Sequence, residues 1–236
     1  MNLLLLSNST NHGSSYLEHC ASQIDQFLAE KREVLLIPYA AVTYSYDEYE
    51  EMASNALSLF GIKVKSIHRF DDPIQAVKDA QSIAIAGGNT FRLLDLLYQK
   101  KLIPEIKAKV ASGTPYIGWS AGSNVAGPTI KTTNDMPIAQ PPTFDSLNLV
   151  KFQINPHYTD RMIVQHKGET RAQRLAEFVE LNRNTTVIAL PEGSWLRQKG
   201  NTLEYHGVEK MVVFTQGQQP QYVGEEQAND ILHAFV

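Results

Sequence analysis

The chain has 236 residues, 43% hydrophobic and 19% charged, with a formal net charge of −4. That composition excludes a disordered segment, and the length suffices for one well-covered core but not for two ordinary domains with a linker. The mildly acidic balance argues against nucleic acid or an anionic membrane as the main partner.

Residues 3–6 form a continuous apolar run, the pattern of a strand buried on both faces inside a parallel sheet. The run has no basic residue before it and is too short for a signal peptide or a membrane span, so a soluble, cytoplasmic protein is expected. A helix is predicted over 15–30. Cys20, the only cysteine, falls on that helix in step with Leu17, Ile24 and Phe27, which marks a packed thiol and allows no internal disulfide.

A second strand at 34–37 stops at Pro38-Tyr39, and 47–60 reads as a helix ended by Gly61. Residues 64–70 read as a strand, followed by a short helix opening at Asp72-Pro73. A strand at 82–86 ends in Gly87-Gly88-Asn89-Thr90, and helices cover 91–98 and 103–111. Pro115-Tyr116-Ile117 then closes a strand that runs into Gly118-Trp119-Ser120-Ala121-Gly122.

Residues 131–148, with Pro137, Pro141 and Pro142, read as a long loop, and loops of that length in compact domains are usually functional. A brief strand at 152–154 precedes Asn155-Pro156-His157, and a helix covers 169–181. A β-branched strand at 185–190 ends at Pro191-Glu192-Gly193, and 202–206 with 211–215 are predicted to form a hairpin at one edge. The alternation predicts one α/β domain over 1–236, with a mostly parallel central sheet and helices on both faces.

Ligands bind beyond the carboxyl ends of such strands, and there the sequence places a nucleophile, a base and a carboxylate. Gly118-Trp119-Ser120-Ala121-Gly122 is a G-x-S-x-G elbow that would lift the Ser120 hydroxyl above the sheet; the alternative is a serine that only caps a helix. A serine needs a base, and His157 is the best-placed of seven histidines, with His12 second. Two carboxylates compete to orient the imidazole: Glu192, in a tight turn at a strand end, and Asp135, in the long loop.

Oxyanion donors are expected at the amides of Ala121 and Gly88, and Asn89 in the same turn is a candidate for substrate binding. Arg171 lies in the first turn of a predicted helix, where the macrodipole disfavours a cation, and it borders the helix's apolar face. It is the candidate for binding a substrate carboxylate.

With Gly87-Gly88-Asn89, Trp119-Ser120-Ala121-Gly122, Asn155-Pro156-His157 and Pro191-Glu192-Gly193 in place, essentially the whole chain resembles the serine peptidase family of peptidase E-type α-aspartyl dipeptidases and cyanophycinases. The resemblance implies a fold like the class I glutamine amidotransferases rather than an α/β-hydrolase. It also implies metal-free, cofactor-free hydrolysis of dipeptides with an N-terminal aspartate, with Ser120 as nucleophile and His157 as base. For the third member it admits either Glu192 or Asp135. The expectation is a monomer or small homo-oligomer acting on small aspartyl peptides, with neither nucleic acid nor membrane as partner. The rivals are another acyl hydrolase on the same scaffold, cyanophycinase-like or an esterase, and a non-catalytic anion-binding module.

Overall fold

The computed structural model describes residues 1–161 and 167–235, which carry two sheets. The first half supplies five mutually parallel strands: β1 (Asn2–Leu6), β2 (Glu33–Ile37), β3 (Lys63–Ser66), β4 (Ile83–Ile85) and β5 (Tyr116–Trp119). Between them run α1 (Ala21–Leu28), α2 (Tyr46–Ser58), α3 (Pro73–Asp79), α4 (Thr90–Gln99) and α5 (Leu102–Ala111). A short α6 (Ala121–Asn124) follows β5 directly.

The period-2 alternation of a strand sorts the core. Leu4, Leu6, Val34, Leu36, Ala84, Ala86, Ile117 and Trp119 face Ile24 and Phe27 of α1 and Ala53 and Leu57 of α2. Leu3, Leu5, Leu35, Ile37, Ile83 and Ile85 point the other way, onto Val77, Leu93, Leu97, Ile106 and Val110 of α3, α4 and α5. Both faces are covered, which is why these strands read as unbroken apolar runs.

The second half departs from a single sheet. After β6 (Gln153–Tyr158), α7 (Arg171–Leu181) and β7 (Val187–Pro191), the chain returns to the first sheet as β8 (Trp195–Lys199) and β9 (Thr202–His206). It then leaves again as β10 (Met211–Phe214), β11 (Gln221–Val223) and α8 (Glu225–Leu232). The strand orders are β3-β2-β4-β5-β1-β8-β9 and β11-β10-β7-β6.

A C-terminal hairpin therefore does close one edge, but its strands are β8 and β9. The predicted partner at 211–215 exists as β10 and pairs instead with β7 and β11. Burial explains the choice: all four residues of β10 are buried, and an edge strand would expose one side. The hairpin turns through Gly200-Asn201, with Gly200 at φ +60.

Two smaller differences are local. Regular helix begins at Ala21 rather than at 15, because Leu17 adopts φ +55 and breaks the helical path. The predicted strand over 64–70 stops at Ser66 and tightens into a 3₁₀ turn, Ile67–Arg69. Cys20 is fully buried, and desolvation pushes its thiol up to about 12, as suits a packed side chain. Among the described residues, no helix is long and apolar enough to cross a membrane.

Candidate active site

Ser120 sits between β5 and α6 with φ +53 and ψ −113, a conformation that non-glycine residues rarely hold. Tight packing maintains it. A Cβ on Gly118 would lie 2.4 Å from the Gly122 carbonyl oxygen, and one on Gly122 would lie 1.9 Å from that of Ile85. Only glycine lets strand and helix approach so closely. Gly122→Ala should therefore cost about 3 kcal/mol, lowering Tm by roughly 6–12 °C for a chain of this size. A thermal melt that matches the parent would contradict this account of the elbow.

The base comes from the other sheet. Asn155-Pro156-His157 lies in β6, where the pairing with β7 shifts register between Asn155 and Tyr158. His157 takes φ +54 in that irregularity, which turns its ring toward Ser120. Its Nε2 lies 2.9 Å from Ser120 Oγ, and its Nδ1 lies 2.8 Å from Glu192 Oε1. A carboxylate at Nδ1 holds the proton there and leaves Nε2 to accept from the serine hydroxyl. The His157 and Glu192 side chains are 38% and 58% exposed, so their pairing contributes orientation more than stability.

The competing carboxylate goes elsewhere. Asp135 Oδ2 accepts from the Thr90 amide at 2.7 Å and the Thr90 hydroxyl at 2.6 Å, at the N-terminus of α4. An anion belongs there on dipole grounds. Asp135 is therefore brought to the Gly88–Asn89 turn and not to His157. His12, the second histidine, lies exposed in the loop after β1.

Gly88 has φ +134, and a Cβ there would sit 2.3 Å from the Ala40 carbonyl oxygen, so the turn is built for glycine. The neighbouring Gly87 packs against Ser120, with an added Cβ only 3.0 Å from that of the serine. Among the described residues, the amides of Gly88 and Ala121 donate to no backbone carbonyl. Asn89 is committed to structure: its Oδ1 caps the Arg92 amide at 3.0 Å and its Nδ2 donates to the Met136 carbonyl at 2.8 Å.

Arg171 opens α7 and is half-buried, its Nη1 donating to the His157 carbonyl at 3.3 Å. Burial first, and then the charge of Arg174, pull its pKa below the ordinary arginine value. The acid nearest in sequence, Glu169, pairs with Arg174 at 3.7 Å, and among the described residues Arg171 has no carboxylate partner. A half-buried cation beside His157, without a counter-ion among the described residues, suits an anionic ligand.

Some positioning residues were not singled out by type or spacing. The His157 amide donates to Ser7 Oγ at 2.9 Å, and that hydroxyl donates to the Leu190 carbonyl at 2.8 Å, tying the ends of β1, β6 and β7 together. Asn8 Oδ1 accepts from the Gly193 amide at 2.7 Å and fixes the turn that carries Glu192. Asn124 Nδ2 donates to the Ile154 carbonyl at 2.7 Å, holding α6 to β6. The signal for Ser7 and Asn8 was their place at a strand end; nothing local to Asn124 announces its role.

Residues 3–206 match the model of peptidase family S51. The chain belongs to that family. It is 46% identical over 220 residues to the peptidase E of Nostoc sp. (strain PCC 7120), covering 93% of this chain and 91% of that one. With the peptidase E of Shewanella sp. (strain W3-18-1) the identity is 48% over 219 residues, 93% of each chain. Two solved structures share the fold at lower identity. A chain from Listeria monocytogenes EGD-e gives a TM-score of 0.65 at 22% identity, over 88% of this chain and 98% of its own. A peptidase from an acI-B1 actinobacterium gives 0.70 at 19% identity, over 95% of each. Family S51 membership makes this chain a peptidase, a hydrolase of peptide bonds.

Proposed function

We propose that the chain is a serine-type dipeptidase that hydrolyses small peptides with an N-terminal aspartate through an acyl-enzyme on Ser120. One observation carries the reading: the continuous relay from Glu192 through both nitrogens of His157 to Ser120, at 2.8 and 2.9 Å. In this mechanism Ser120 Oγ attacks the peptide carbonyl as His157 Nε2 takes its proton. The imidazolium then gives that proton to the leaving amine, and water, activated by the same nitrogen, releases the acyl group. The Gly88 and Ala121 amides receive the oxyanion of each tetrahedral intermediate. Glu192 is the third triad member, and Asp135 instead braces the turn that presents Gly88.

Arg171 is proposed to bind the side-chain carboxylate of the aspartyl residue, and Asn89, its side chain engaged by Arg92 and Met136, to shape the cleft over Ser120. The charge of Arg171, beside His157 and without a carboxylate partner among the described residues, supports this. The test is the ratio of kcat/KM for Asp-Leu over Asn-Leu. Arg171→Ala should lower that ratio by about 10–100-fold, the worth of a charge-assisted bond to the substrate. A ratio equal to the parent's would remove Arg171 from the specificity site.

A further inference from the structure

We infer that the leaving residue of the substrate, the X of Asp-X, is received by an apolar subsite formed by Val42, Tyr44 and Ile138, which selects for bulky uncharged residues. The inference rests on the function proposed above and concerns the half of the substrate that Arg171 does not touch.

A cleft of about 410 Å³ opens over Ser120, His157, Gly88 and Asn89, and its lips are two loops. One lip follows β2 and carries Val42 and Tyr44; the other belongs to the long loop after α6 and carries Ile138. Both are fastened to the turn beside the serine. The Asn89 amide donates to the Ala40 carbonyl at 2.8 Å, and Arg92 Nε donates to the Ala41 carbonyl at 3.0 Å. Asn89 Nδ2 holds Met136 on the opposite lip at 2.8 Å. The lips are thus set at a fixed distance from the reacting carbonyl.

Their side chains are the wrong kind for solvent. Val42, Tyr44 and Ile138 are 56%, 55% and 58% exposed and line the same opening, apolar surface gathered at one cleft rather than scattered singly. No lysine, arginine, aspartate or glutamate is among the described residues that line the cleft. Arg171, bonded to the His157 carbonyl, does not line the cleft. The two halves of the substrate are therefore sorted by chemistry. The aspartyl side-chain carboxylate goes toward Arg171, and the side chain of the departing amino acid lies between apolar lips that offer a charge no partner.

The experiment compares kcat/KM on Asp-Leu, Asp-Gly and Asp-Glu. The parent enzyme should favour Leu over Gly by about tenfold or more, the discrimination an apolar pocket gives for several methylenes, with Glu the poorest. The double substitution Tyr44→Ser with Ile138→Ser should reduce the Leu-to-Gly ratio by about tenfold. Ile138→Arg should raise Asp-Glu relative to Asp-Leu. All three positions are more than half exposed, so these variants keep the core that folds the chain. Equal rates on the three peptides in the parent, or ratios that neither variant moves, would overturn the subsite. A parent enzyme inactive on every aspartyl peptide would overturn the functional reading and the subsite with it.

Discussion

Ser120→Ala should reduce hydrolysis of Asp-Leu by about 10⁴–10⁶-fold, the loss found when a serine nucleophile is removed from an intact triad. The fold should be untouched. Ser120 Oγ makes one side-chain hydrogen bond, to His157 Nε2, and the elbow is held by backbone and neighbours: Ser120 N–H to the Leu6 carbonyl at 3.2 Å, and Ser123 Oγ within 2.6 Å of the same oxygen. Alanine inherits the strained φ of +53 without adding bulk. Initial rates measured beside a thermal melt separate the two effects, and full turnover by a normally folded variant would end the acyl-enzyme proposal.

Glu192→Gln should cost about 10³–10⁴-fold in kcat, because an amide at that position favours the wrong imidazole tautomer and cannot balance the imidazolium. Asp135→Asn is the internal control. It leaves the relay to Ser120 intact and removes an anion from the N-terminus of α4, a loss of about 0.5–1 kcal/mol in stability, with less than about a tenfold fall in rate. Kinetics of the two variants against the same substrate decide between the carboxylates. If the larger loss falls on Asp135, the assignment of Glu192 is reversed.

The residues of the site were legible for a physical reason. Chain segments that must form tight, close-packed turns advertise themselves by small residues: Gly88, Gly118 and Gly122 have backbone where a side chain would stand, and Gly87 has the Ser120 and Trp119 side chains there. Four of the five parallel strands were legible because two-sided burial makes them largely apolar; β3, at the sheet edge, exposes Lys63 and Lys65. The choice between Glu192 and Asp135 was not legible, since it depends on how the turn after β7 lies against the irregularity in β6. The division into two sheets was hidden for a related reason: the apolar runs at 187–190 and 211–214 mark buried strands without saying which strands they pair with. Gly200-Asn201 between two short runs is a local hairpin signal, and it joins β8 to β9.

The two-sheet construction also bears on when the protein can act. Ser120 follows a strand of the seven-stranded sheet, while His157 and Glu192 hang from β6 and β7 of the four-stranded sheet. A chain ended before residue 157 would carry the proposed nucleophile without its proposed base, so hydrolysis by this relay requires both sheets to be in place.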